Sequence, residues 1–159
     1  RTEEHHVFTH IDARLGGLEQ NVHDVVGDFV LKRADGLWAY QLAVTVDDLA
    51  QGVTCIVRGA DLFDSTPRQL LLRSLRDPDA PPPASAHFPQ VVDAEGKRLA
   101  NRHRAQPIRT LGESPERIVG ALARSLDLTT EAAIRPDELL SSYDRARLPT
   151  TPTALADDA

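Results

Sequence analysis

Residues 53–76 read VTCIVRGADLFDSTPRQLLLRSLR, and this stretch decides the fold. Its first part, Val53–Arg58, is a mostly apolar run, which is typical of a strand buried on both faces of a parallel sheet. A loop follows from Gly59 to Ser65. Thr66-Pro67 then opens a helix, because threonine caps helices well and proline at the first helical position loses no needed hydrogen bond. A strand, a loop and a capped helix in this order form half of a βαβ unit, so the sequence predicts an α/β fold.

Arg58 and Tyr40 are the residues near this unit that best suit a binding site. Ligands of open α/β sheets sit at the carboxyl ends of the strands, and Arg58 ends the apolar run. Its guanidinium can hold a carboxylate by a two-pronged, charge-assisted hydrogen bond. The alternative is an ion pair with a nearby acid such as Asp61 or Asp64, and spacing alone favours that alternative. Tyr40 begins a segment, 40–51, whose apolar residues recur at helical spacing.

The other elements follow from periodicity and from turn residues. Strands are predicted at 7–12, 28–33 and 87–92, and further helices are predicted after the cap Ser114 and at 136–143. Leu70, Leu71 and Leu75 are predicted to form the buried side of the helix that begins at Thr66. The chain divides into half of an α/β domain at 1–76, a Pro-rich connector with a strand and a basic loop at 77–110, a helical region at 111–148, and a tail at 149–159 that we expect to be disordered.

Composition excludes several classes of protein. A net charge of −6 argues against a generally basic nucleic-acid binder, and no apolar run reaches the length of a membrane span. The one cysteine, Cys55, can form neither an internal disulfide nor a multi-thiolate zinc site, so we expect a reducing, cytoplasmic environment. The absence of methionine suggests a processed chain or a piece of a longer one. The histidines near the N-terminus, His10 among them, are expected to be solvated, and no metal site is predicted.

A basic stretch from Lys97 to Arg109 stands out because the chain is acidic elsewhere. It carries five lysine or arginine residues and no acid. Charged loops are usually only solvated, yet the lack of any acid here favours a contact with phosphate or RNA.

A long block of the sequence is recognisable. It comprises GDFVLKRADG at 27–36, AYQLAV at 39–44, VDD at 46–48, QGVT at 51–54, VRGADL at 57–62 and DSTPRQ at 64–69. This block resembles the glutamyl-queuosine tRNA(Asp) synthetases, truncated relatives of glutamyl-tRNA synthetase. The resemblance is strong over residues 27–75 and looser up to residue 104.

The resemblance implies part of a class I, Rossmann-like catalytic domain with a helical C-terminal region. Members of the family use ATP, with Mg²⁺, to activate glutamate as an adenylate, and then transfer it to queuosine in the anticodon loop of tRNA(Asp). By resemblance, Tyr40 and Arg58 fall on the tyrosine and arginine with which the family binds glutamate. A monomer is the expected state.

The departures from the family pattern matter as much. The first ATP signature, HIGH-like, would precede this segment together with the family's zinc site, and His10-Ile11-Asp12-Ala13 is not that motif. The KMSKS-like signature falls on Arg98-Leu99-Ala100-Asn101-Arg102, where Asn101 replaces the lysine that contacts ATP. An amide lacks the charge that stabilises pyrophosphate, although Arg98 or Arg102 could substitute. We therefore assign no catalytic residue. Three readings stay open: an enzyme fragment whose N-terminal half lies on the same or another chain, a non-catalytic binder of glutamate or tRNA, and a degenerate product.

Overall fold

A four-stranded mixed sheet organises the first part of the chain in the computed structural model, which describes residues 1–4, 6–92, 96–98 and 112–154. The strands are β1 (Val7–Asp12), β2 (Gly16–Asn21), β3 (Cys55–Gly59) and β4 (Ala84–Phe88), and they lie in the order β2-β1-β4-β3. β4 pairs in parallel with both β1 and β3, whereas β1 and β2 form an antiparallel pair. The carboxyl ends of the three parallel strands therefore meet at one edge of the sheet.

Helices cover one face of this sheet. A short helix, α1 (Val22–Val25), follows β2; α2 (Tyr40–Ala50) precedes β3; and a 3-10 turn at Ala60–Ser65 leads from β3 into α3 (Thr66–Arg76). α3 packs against β1 and α2, and its buried Leu70, Leu71 and Leu72 form much of the core. The predicted strand at 7–12, the helix beginning at Tyr40 and the strand, loop and helix of the deciding stretch are confirmed. Leu75 was wrongly expected in the core, since it is 66% exposed.

Two of the predicted strands are wrong in extent or in kind. Residues 28–33 form no strand: they make only an isolated bridge, Lys32 to Trp38, within a local turn, because no neighbouring strand of the described chain pairs with them. The strand predicted at 87–92 is two strands, β4 and β5 (Val91–Val92), separated by Pro89. Proline has no N–H to donate to a sheet, so it interrupts the pairing.

Residues 89–159 form a second compact unit, distinct from the unit at 1–88. Among its described residues are two α-helices, α4 (Pro115–Ser125) and α5 (Pro136–Ser141), and a 3-10 turn at Arg145–Arg147. The hydroxyl of Ser114 accepts the N–H of Arg117, which confirms the predicted cap. The tail was expected to be disordered, but Thr153–Ala154 forms β6, which pairs in parallel with β5 because the N–H of Thr153 donates to the carbonyl of Gln90. No described helix has the length and apolar character that crossing a membrane requires.

Candidate functional site

Arg58 lies near the carboxyl end of β3, where the sequence predicts a binding residue, and three neutral acceptors hold its side chain. Nε donates to Nε2 of His87 (2.9 Å), Nη1 to Oε1 of Gln69 (2.6 Å) and Nη2 to Oγ1 of Thr66 (2.9 Å). Neither Asp61 nor Asp64, the ion-pair partners considered from spacing, is among these acceptors. A guanidinium has five N–H groups, so these three bonds leave at most two, which the neighbouring Tyr40 hydroxyl and a ligand would share.

Tyr40 is the first residue of α2 and lies beside Arg58. Burial lowers the pKa of the Arg58 guanidinium, and the nearby Tyr40 hydroxyl, Asp48 and Asp12 oppose that effect. Arginine keeps its charge in spite of such shifts. Because Tyr40 is 52% exposed, the side of Arg58 that it approaches is reachable from solvent. The structure thus brings together the two residues that the sequence singles out.

Behind Arg58 lies a buried carboxylate, Asp12, at the end of β1. Its Oδ1 accepts the backbone N–H groups of Arg14, Leu15 and His87, and its Oδ2 accepts from the hydroxyl of Ser85 and from Nδ1 of His87 at 2.7 Å. Burial would raise the pKa of Asp12, but the hydrogen bonds from Ser85, His87 and the two turn amides outweigh it and hold the pKa well below its ordinary value. Asp12 is therefore an ionised carboxylate that the interior of the protein solvates.

His10 belongs to the same cluster, contrary to the expectation that it is solvated. It is only 7% exposed, and its Nε2 lies within hydrogen-bond distance of the Ser85 hydroxyl. Burial lowers the pKa of His10; His87 and Arg58 add to this effect, and Asp12 opposes it. These side chains meet because alternate residues of a strand point to the same face of the sheet. His10 and Asp12 of β1 therefore face the helices, as do Ser85 and His87 of β4.

A second set of hydrogen bonds ties α2 to α3 in front of the sheet. Gln69, which accepts from Arg58, donates from Nε2 to Oε1 of Gln41 at 2.7 Å, and Gln41 donates in turn to the Ser65 hydroxyl at 3.1 Å. Thr66 was expected to cap α3, but it is the first residue of that helix, and its hydroxyl oxygen accepts a hydrogen bond from Nη2 of Arg58. Since Gln41 follows Tyr40 in α2, these bonds connect the helix that carries Tyr40 to the arginine beside it.

A narrow pocket opens next to Arg58 between the sheet and the helices. Its charged lining residues are Arg58, Asp48 and Arg73, and its polar floor includes His10, Gln69 and Ser85. Asp48 reaches this pocket while its neighbour Asp47 faces solvent, as expected for adjacent residues of a helix.

The KMSKS-like residues are described only in part. Arg98 forms an isolated bridge with Val92 in the second unit. Leu99, Ala100, Asn101 and Arg102 lie outside the described residues, as do most charges of the basic stretch. In the part of the chain that the structure describes, no group of three or more His, Cys, Asp and Glu side chains is arranged to hold a metal ion.

Sequence reasoning found Tyr40 and Arg58 but missed the polar residues that hold them: His10, Asp12, Gln41, Thr66, Gln69, Ser85 and His87. One signal was available. His10 and Asp12 alternate along a predicted strand, and alternating polar residues on an otherwise covered face are unusual. Ser85 and His87 alternate in the same way, but Ser85 was assigned to the connector.

Comparison with known proteins gives the family. Residues 3–139 match the family described as tRNA synthetases class I (E and Q), catalytic domain. A glutamyl-Q tRNA(Asp) synthetase of Nitratidesulfovibrio vulgaris is 45% identical over 150 residues, which are 92% of this chain and 46% of that protein. One of Xanthomonas campestris pv. campestris is 55% identical over 97 residues, covering 61% of this chain and 32% of that protein.

A solved structure supports the same fold. The crystal structure of glutamate-tRNA synthetase from Elizabethkingia anophelis superimposes with a TM-score of 0.75 at 21% identity, covering 96% of this chain and 35% of that one. The chain thus spans less than half the length of each of these relatives. Its sheet and helices are part of a Rossmann-like α/β domain, and the chain belongs to the family of class I tRNA synthetase (E and Q) catalytic domains.

Proposed function

We propose that this chain carries the glutamate-binding part of a synthetase that activates glutamate with ATP and transfers it to queuosine in the anticodon loop of tRNA(Asp). The observation that carries the proposal is the Arg58 guanidinium, which is half-buried, charged and held by three hydrogen bonds near the carboxyl edge of the sheet, beside Tyr40. The name of the similar proteins, glutamyl-Q tRNA(Asp) synthetase, supports the choice of glutamate and of tRNA(Asp).

The geometry suits a carboxylate ligand. A guanidinium in a partly dehydrated site forms stronger hydrogen bonds to a carboxylate than one in water does. The Tyr40 hydroxyl can donate to a carboxylate oxygen or accept from the ammonium group of an amino acid. Asp48, close enough to influence Arg58, supplies negative charge that suits an ammonium group.

ATP would supply the adenylyl group that is transferred to the glutamate carboxylate, with pyrophosphate as the leaving group. The residues proposed to contact it, Arg98 to Arg102, lie largely outside the described residues. We therefore assign this chain the task of binding and orienting glutamate. A non-catalytic glutamate- or tRNA-binding protein is the second candidate, and the observation that favours it is Asn101, which stands where the family has a lysine.

Isothermal calorimetry with L-glutamate tests the proposal. We expect the wild-type chain to bind L-glutamate, and Arg58→Ala to lose at least about tenfold in affinity, because a hydrogen bond to a charged group contributes roughly 1.5–3 kcal/mol. Arg33→Ala is the matched control, since Arg33 is exposed and pairs with Asp35 on the surface. Equal affinity of the wild type and Arg58→Ala would show that Arg58 does not bind glutamate.

A further inference from the structure

The protonation states in the cluster behind Arg58 follow from counting donors. The Nε of an arginine can only donate, so the Nε2 of His87, 2.9 Å away, must accept with a lone pair. Its Nδ1, 2.7 Å from Oδ2 of the ionised Asp12, must then carry the proton. His87 is therefore a neutral imidazole with its proton on Nδ1.

The same count extends to His10. Ser85 has one hydroxyl proton and donates it to Asp12, so the Ser85 oxygen must accept from Nε2–H of His10. The direction of every hydrogen bond in the series from His10 through Ser85, Asp12 and His87 to the Nε of Arg58 is thereby assigned.

We propose that His87 is a positioning residue for Arg58, and that Asp12 fixes it in the tautomer that this task requires. The inference rests on the proposed function, in which Arg58 binds the glutamate carboxylate. The imidazole is fully buried, and the edge-to-face contact with Phe63, at 5.2 Å between ring centroids, fixes the plane of the ring. Because the imidazole ring of His87 is fixed, the lone pair on its Nε2 points in a fixed direction toward Arg58.

The consequence for Arg58 is preorganisation. The guanidinium is planar, and three contacts from three directions, His87, Gln69 and Thr66, fix both its position and its plane. Its remaining N–H groups then point in a set direction before the ligand arrives, which lowers the entropy lost on binding. A role in filling space would not require this arrangement, because a buried carboxylate such as Asp12 costs more free energy than an apolar side chain of similar volume.

Two substitutions separate positioning from packing. His87→Asn keeps an amide donor at the place of Nδ1, so it can still serve Asp12, but it removes the acceptor for Arg58. His87→Gln reaches further and places an amide oxygen near Nε2, so it can still accept from Arg58. Both delete the ring and its contact with Phe63.

Calorimetry with L-glutamate at pH 7 on the 159-residue chain gives the binding result. We expect His87→Asn to bind roughly ten- to a hundred-fold more weakly than wild type, and His87→Gln to stay within about threefold. Thermal unfolding of both variants shows whether they are equally folded. Equal losses in the two variants would overturn the positioning role while leaving that of Arg58, tested by Arg58→Ala, intact.

A measurement without glutamate keeps the inference testable if the wild type fails to bind or the variants fail to fold. In ¹⁵N-labelled wild-type chain, we expect His87 to show a protonated Nδ1, an unprotonated Nε2 and a scalar coupling across the hydrogen bond to Nε of Arg58. A protonated Nε2 would overturn the inference. Absence of glutamate binding together with this signature would reject the proposed function and leave the positioning of Arg58 standing.

Discussion

His10 gives the clearest pH dependence at the scale of single residues. Burial lowers its pKa from 6.5 in the folded chain, so the unfolded chain binds a proton more readily. Its contribution to stability is therefore complete above pH 6.5 and is lost as the pH falls from there through the folded pKa. Asp12, whose folded pKa is also depressed, begins to lose its contribution only below about pH 4.

We predict that the free energy of unfolding of the wild type falls between pH 7 and pH 5 more steeply than that of His10→Gln. The glutamine can still donate an amide N–H to Ser85 but does not titrate. The difference in slope should reach at most about 1.4 kcal/mol per pH unit, the limit for one proton. Urea unfolding at several pH values measures it, and parallel profiles would contradict the assignment of His10.

Tyr40 and Arg58, the proposed glutamate ligands, were singled out from local sequence patterns, whereas the residues that hydrogen-bond around them were not. Arg58 ends an apolar run, a local pattern that points to the edge of a sheet. His87, by contrast, is recognised only through its hydrogen bond to Asp12, which is 75 positions away in the sequence. No local pattern identifies a partner at that distance. The hydrogen-bonded cluster could be recognised only once the pairing of β1 with β4 was known.

At the scale of elements, the strands and helices with a strong local sequence pattern were predicted, and those that depend on pairing with a neighbour were not. β3 is mostly apolar, and α2 shows helical spacing, so both were predicted. β2 (Gly16–Asn21) and β4 (Ala84–Phe88) contain small and polar residues with little intrinsic preference for strands. They become strands because neighbours offer hydrogen bonds, β1 to β2 and both β1 and β3 to β4. Residues 28–33 show the reverse, since their strand-like composition meets no such neighbour.

Gly120 in α4 supports a prediction about helix packing in the second unit. A Cβ at this position would lie 2.3 Å from the carbonyl oxygen and 2.7 Å from the carbonyl carbon of Ala132. Alanine normally stabilises a helix by about 1 kcal/mol relative to glycine, but here a backbone segment blocks it. We therefore expect Gly120→Ala to destabilise the second unit, at a cost of about 1–3 kcal/mol for overpacking.

Gly17→Ala is the matched control. No heavy atom lies within 4 Å of the place where its Cβ would be, and its φ is not in the left-handed region. Its melting temperature should stay close to that of the wild type. A Gly120→Ala protein that melts as late as Gly17→Ala would show that the approach of residue 132 to α4 is wrong.

At the scale of the whole molecule, one face of the four-stranded sheet has exposed apolar side chains. Its parallel strands carry apolar residues on the face opposite α3, where Ile11 is 77% and Val57 61% exposed. Parallel sheets normally have both faces covered. The chain covers 32% and 46% of the two glutamyl-Q tRNA(Asp) synthetases compared above, so more than half of each of those proteins lies outside the matched region.

Adenylate formation is therefore the property that we expect this chain to lack when it is alone. The proposed function assigns glutamate binding to Arg58 and Tyr40, but adenylate formation also needs ATP, and no HIGH-like signature occurs in these 159 residues. Asn101 further weakens the KMSKS-like signature, and removing one preorganised electrostatic contact costs roughly a hundred- to a thousand-fold in rate.

Glutamate-dependent exchange of pyrophosphate into ATP measures this directly. We expect exchange at background level from the 159-residue chain, and strong exchange from a full-length glutamyl-Q tRNA(Asp) synthetase assayed alongside it. If the chain works with a separate N-terminal half, adding that half should restore exchange, and Asn101→Lys should increase it because the lysine returns a positive charge to the pyrophosphate. Exchange by the isolated chain that disappears in Arg58→Ala would prove the expectation wrong, since it would mean that these residues hold a complete ATP site.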